Sequence, residues 1–107
     1  MHWIYAHLIG DYLIQTDWMA VNKKRSSWVC ATHVVTYLLP FVFCGLRWNQ
    51  LLAIGIQHFG QDRTQVVKIL MDTTGHKRFA QAPLAPWSII LTDNILHILF
   101  ISWVAGI

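Results

Sequence analysis

Apolar residues along this chain fall into four long runs, each closed by a short polar or turn-forming stretch. The first covers residues 3–21 and stops at Asn22 and the basic run Lys23-Lys24-Arg25. The second opens after Ser26-Ser27, a pair suited to capping a helix, and stays uncharged to Leu46. Pro40 lies inside it and predicts a kink rather than an end, because membrane helices tolerate proline where neighbours satisfy the freed backbone groups. The third runs from Asn49 toward Asp72, apolar first and amphipathic afterwards. The fourth begins at Pro86, a residue favoured in the first helical turn, and continues through Gly106. Residues 73–85, with Gly75 and Pro83, form the one substantial predicted loop. Runs of about 20 residues match the thickness of a bilayer's hydrocarbon. The pattern therefore predicts an all-α, polytopic membrane protein, a single four-transmembrane-helix bundle over residues 1–107.

Composition points the same way. The 107 residues are 55% hydrophobic and 12% charged, against about 25% charged in an average soluble domain. Eight Lys and Arg with five Asp and no Glu cannot cover a small water-soluble globule, much of whose surface stays exposed. An ordinary soluble enzyme and a disordered chain are both excluded. The net charge of +3 does not imply nucleic acid, since the basic residues form short clusters without a stripe or interleaved aromatics. They instead follow the segment order. Lys23, Lys24 and Arg25, then Lys68, Lys77 and Arg78, mark one side, while the connection between the second and third runs has Arg47 alone. The positive-inside rule then places both termini outside the cytoplasm of a bacterial inner membrane. Trp3, Trp48 and Trp103 fall at the outer ends of the runs, and Trp18, Trp28 and Trp87 at the inner ends, as two interfacial belts would require. The first run lacks a basic start and contains Asp11 and Asp17, so a signal peptide is not expected. Cys30 and Cys44 would be about 21 Å apart on one helix, too far for a disulfide.

Ionisable residues interrupt this apolar pattern at regular spacing. His7 and Asp11, His58 and Asp62, and Asp93 and His97 are pairs four residues apart, each on one helical face, and His33 lies in the second run. Shuffling this composition would give about half a pair at that spacing; the chain has four when Asp72 and His76 are included. At 1.5 Å per residue, antiparallel spans bring Asp11, Asp62 and His97 to a shared depth of about 15 Å from the cytoplasmic face. His7 and His58 then lie deeper, and His33 and Asp93 shallower. Ionised groups at such depth need a named partner, and a divalent metal supplies one. Imidazole and carboxylate without thiolate suit Zn, Mn or Fe. The candidate ligands are His7, Asp11, His33, His58, Asp62, Asp93 and His97, enough for one or two ions with an open position. A metal-free hydrogen-bond network uses the same residues, and each His/Asp pair can equally be a ligand with its orienting carboxylate. Gln15 continues the His7–Asp11 stripe and Arg63 adjoins Asp62, making both candidate substrate-binding residues.

His7-Leu8-Ile9-Gly10-Asp11 through Gln15-Thr16-Asp17-Trp18-Met19-Ala20, followed by Asn22-Lys23, resembles the opening signature of a family of small bacterial and phage membrane proteins catalogued as a domain of unknown function. His33 with Tyr37, His58 with Asp62, and Trp87 with Asp93 to His97 continue the resemblance over nearly the whole chain. More distantly, the pattern is similar to inner-membrane proteins described as predicted metal-dependent hydrolases. That likeness implies metal-assisted hydrolysis, with His33, His58, Asp62, Asp93 and His97 carried over by position, and implies no substrate.

The expected function is thus a membrane-embedded, metal-dependent hydrolase. Bound metal would bring the pKa of a water near neutrality, with Asp62 or Asp93 as general base. The depth of the site favours a lipid or lipid-linked phosphoester entering from the cytoplasmic half. The alternative is a non-enzymatic membrane effector, a pore or a binder of a host membrane protein, in which a structural metal or a polar His/Asp network clips the helices together. An ion or proton conduit is the third option. The expected partners are the bilayer, a lipid or lipid-phosphate substrate and further copies of the same chain in a homo-oligomer, not nucleic acid.

Overall fold

The computed structural model describes residues 1–106, and all regular structure among them is helical. Helix α1 (Trp3–Leu8) widens into a single π-helical turn (Ile9–Leu13), in which Ile14 N–H bonds Ile9 C=O at 2.9 Å. Helices α2 (Asp17–Asn22) and α3 (Ser27–Leu38) follow, and α3 passes into a 3₁₀ segment (Pro40–Cys44). Helix α4 (Trp48–Arg63), the short α5 (Val66–Thr73) and the long α6 (Trp87–Ala105) complete the fold. Helix α4 packs on α3 and α6, and α1 packs on α6 and the 3₁₀ segment.

Two of the four expected spans are continuous. Ser27–Cys44 and Trp87–Ala105 are long and apolar enough to cross a membrane, and among the described residues they are the two that are. The expected first span breaks after the π-turn because Thr16 starts a new helix, its Oγ1 accepting the Met19 N–H at 3.3 Å. The expected third breaks at Thr64, whose backbone is extended. There the Lys24 ammonium donates to the carbonyls of Asp62 at 3.0 Å and Thr64 at 2.8 Å. A cation that satisfies the last carbonyls of a helix favours its ending there. Pro40 does more than kink the second run, since the helix changes type at that residue. Gly45, at φ +72°, then turns the chain toward α4 in a conformation that side chains disfavour.

The interior is layered. One apolar cluster joins Ala6, Tyr37, Phe41, Ile54, Ile101 and Val104, and a second joins Val67, Met71 and Ala80 with Ile89 and Leu96. Along α6 the order runs from Ile89, through Asp93 and His97, to Ile101; along α4 and α5 it runs from Ile54, through His58 and Asp62, to Val67. The acidic and imidazole side chains thus lie between the two apolar clusters in chain order. His7, His33, His58 and His97 are fully buried, whereas Trp28, Trp48 and Trp103 are exposed. Polar groups inside and large apolar groups outside invert the usual arrangement of a soluble domain.

Candidate metal centre

Three helical stretches deliver four donors to a common point, the π-turn and α3 one each and α4 two, His58 and Asp62. His33 Nε2 from α3 and His58 Nε2 from α4 lie 2.9 Å apart, each 3.0 Å from Asp62 Oδ2. Asp11 Oδ1, from the π-turn, is 3.3 Å from His33 Nε2 and 3.6 Å from His58 Nε2. Four ligands about 2.0–2.2 Å from one ion in a tetrahedron are separated by about 3.3–3.6 Å. The observed spacings of 2.9–3.6 Å lie close to that pattern. Asp11 Oδ1 is buried with no hydrogen-bond donor among the described residues, as expected of an oxygen whose partner is a cation.

A second group, Asp11, Asp93 and His97, adjoins the first. His97 Nδ1–H donates to Gln57 Oε1 at 3.3 Å, the Gln57 amide donates to Gln61 Oε1 at 2.6 Å, and the Gln61 amide donates to Asp93 Oδ1 at 2.8 Å. This chain leaves the His97 Nε2 lone pair facing Asp62 Oδ1 at 3.1 Å and Asp93 Oδ2 at 3.5 Å. Three electron-rich atoms turned on one region need a metal ion between them or a second proton on the imidazole. Asp62 presents one oxygen to each group, so it could bridge two ions, a geometry suited to two-metal chemistry.

The ring planes are held by stacking. Tyr37 lies on His58 with centroids 3.7 Å apart, and His58 lies on His97 at 4.0 Å, with interplanar angles of 21° and 22°. Gly10 allows this assembly. A Cβ there would meet the Tyr37 carbonyl oxygen at 2.8 Å, so only glycine lets the π-turn carrying Asp11 approach α3 so closely. His7 stands apart from both donor groups. Its Nδ1 accepts from the Tyr37 hydroxyl at 2.6 Å and its Nε2–H donates to Asn94 Oδ1 at 2.5 Å. Both ring nitrogens are thus engaged in hydrogen bonds, one of them to Tyr37 beneath the stack, and neither donor group includes His7.

A cleft of about 560 Å³ opens beside these donors. Asp11, Asp62 and Asp93 reach its wall, with Gln15, Lys23 and Lys68. Val67, Ile89 and Ile90 add an apolar side. Lys23 Nζ donates to Asp62 Oδ2 and to Gln15 Oε1, both at 3.0 Å. Burial works against the Lys23 charge, but Asp62, Asp11 and Asp93 outweigh it and hold the ammonium pKa above its ordinary value. The Gln15 amide in turn donates to Asp11 C=O at 3.0 Å. Arg63, expected to contact substrate, lies outside the cleft. Its guanidinium donates to Lys24 C=O at 2.6 Å and Ser27 Oγ at 3.1 Å, tying α4 to the turn before α3.

In sequence Lys23 reads as part of a basic rim that could attract a phosphate head group and that topology already explains, while Gln57, Gln61 and Asn94 carry no assigned role. Gln57 and Gln61, four apart in an apolar helix and each preceding a member of the His58–Asp62 pair, carried a usable signal. The reach of Lys23 across 39 positions to Asp62 carried none. A family model described as "Protein of unknown function (DUF3307)" matches residues 1–106. No curated protein and no solved structure matches the chain.

Proposed function

The chain belongs to the DUF3307 family of proteins of unknown function, and from its buried donor set we propose that it is a membrane-embedded, metal-dependent hydrolase cleaving a phosphoester in a lipid or lipid-linked substrate. The observation that carries this is the convergence of Asp11, His33, His58 and Asp62 from the π-turn, α3 and α4, with a buried carboxylate oxygen of Asp11 that makes no hydrogen bond among the described residues. A bound Zn, Mn or Fe ion there supplies a Lewis acid and makes water a nucleophile near neutral pH. His33, His58, Asp11 and Asp62 would hold the ion, His97 faces the other oxygen of Asp62, and Asp93, outside that four-donor group, is left for proton transfer.

Asp93 is best placed as general base. Its side chain is 21% exposed and borders the cleft; Gln61 holds its Oδ1, and Oδ2 makes no hydrogen bond as short as that one, its neighbour His97 Nε2 standing 3.5 Å away. Oδ2 removes a proton from water, the water oxygen forms the new P–O bond, and the ester P–O bond breaks. The proton returned by Asp93 completes the alcohol product.

The membrane setting is supported by two apolar helices whose residues are mostly exposed, 39% and 22% of each window being buried, around a polar interior. The distribution of basic residues supports a bacterial inner membrane with both termini outside the cytoplasm. Lys23 on Asp62 favours an alternative, a metal-free ion network that only clips the helices of a membrane effector.

Elemental analysis of detergent-purified protein beside Asp62→Ala and His97→Ala separates the two. Stoichiometric metal in the wild type, reduced in the variants, followed by phosphate release from phosphatidic acid or a polyprenyl phosphate, supports the hydrolase. A metal-free wild type that keeps its fold in chelator overturns it.

A further inference from the structure

Resting on the metal-dependent function proposed above, we infer that Lys23 is the phosphate-binding residue of the cleft, exchanging Asp62 for a phosphate monoester when a divalent metal occupies the donors. One oxygen is at stake. Asp62 Oδ2 lies 3.0 Å from Lys23 Nζ and 3.0 Å from both His33 Nε2 and His58 Nε2. An ammonium and a divalent ion cannot both sit against that oxygen without strong like-charge repulsion. The Lys23 side chain, 14% exposed, borders the cleft and has an open side to move toward.

The cleft there is suited to an anion. Lys68 is exposed on the same cleft and makes no ion pair with any described residue. Lys24 also lines the cleft, but its ammonium is engaged by the backbone carbonyls of Asp62 and Thr64. Val67, Ile89 and Ile90 continue the cleft as an apolar wall, which suits a ligand with a phosphate at one end and a hydrocarbon tail. Metal and phosphate should therefore bind cooperatively, each raising the affinity of the other by the same factor.

The test measures Mn²⁺ binding and, on Mn²⁺-loaded protein, binding of dihexanoyl phosphatidic acid as its non-hydrolysable phosphonate analogue, of inorganic phosphate and of dihexanoylglycerol, using the full chain in detergent. Lys23→Met should bind Mn²⁺ several-fold more tightly, because a competing cation is gone. The same variant should bind phosphatidic acid about ten-fold more weakly. These opposite signs distinguish an exchanging lysine from a structural one, whose loss would weaken both. Lys23→Arg should restore phosphate binding, and Lys77→Met, an exposed lysine outside the cleft, should alter neither affinity. Tighter binding of phosphatidic acid than of phosphate, with none of the glycerolipid, assigns a lipid ligand; equal binding of the two phosphates assigns the free ion to the same lysine. Wild-type protein that binds Mn²⁺ with no change in phosphate affinity overturns the exchange, whether or not Lys23→Met folds. So does a Lys23→Met variant weakened for both ligands. Wild-type protein that binds no Mn²⁺ removes the metal-dependent function itself, a separate failure.

Discussion

Replacing Gly10 by alanine tests the geometry that brings Asp11 to the two imidazoles. The added Cβ would stand 2.8 Å from the Tyr37 carbonyl oxygen, 3.0 Å from its Cδ2 and 3.2 Å from its Cα. All three are inside the ordinary contact distance of about 3.5–4.0 Å. Two of the three obstacles are backbone atoms, and the third is a ring wedged against His58, so none can swing aside. Overpacking of this kind costs about 1–3 kcal/mol, and a backbone obstacle belongs at the upper end. Removing the conformational freedom of glycine returns about 1 kcal/mol, leaving a net loss of about 2 kcal/mol.

Gly60→Ala is the control. Nothing lies within 4 Å of its added Cβ, and the residue is inside α4, so a gain of about 0.5–1 kcal/mol is expected. Unfolding followed by tryptophan fluorescence in detergent should separate the two variants by about 3 kcal/mol. Because α1 must move off α3, Mn²⁺ affinity in Gly10→Ala should also fall about ten-fold, as it does when groups that orient ligands are disturbed. Equal stability and equal metal affinity in the two variants would refute the close approach of the π-turn to α3.

His7→Ala should lose about 3 kcal/mol of stability through a cavity and two broken hydrogen bonds, one buried and one half-buried, yet retain metal, measured by elemental analysis. Asp62→Ala should show the reverse emphasis, with metal content falling to background. Arg63→Ala should leave phosphatidic acid hydrolysis unchanged and shift stability by no more than about 1 kcal/mol, because its contacts lie outside the cleft. Chelation of wild-type protein should lower its thermal midpoint. Metal at about 100 times its Kd contributes about 2.7 kcal/mol, and an unchanged midpoint in chelator would count against a bound ion.

Much of this molecule follows from spacing alone. Four residues nearly complete a helical turn, so His58 with Asp62 and Asp93 with His97 share a face whatever surrounds them. Apolar runs of helical length make an all-helical fold the economical solution in any apolar solvent. Those are local consequences of backbone geometry, which is why the donor residues could be named before any fold was known. The breaks at Thr16 and Thr64, the exclusion of Arg63 from the cleft and the position of Lys23 on Asp62 arise from contacts between remote segments. Lys24 ends α4 from 38 positions away, and the Tyr37 hydroxyl withdraws His7 from the ligand set across 30. No period in the chain encodes such pairs. Which nitrogen keeps its lone pair, and which cation reaches a carboxylate, is settled only when packed helices bring competing donors to the same atom.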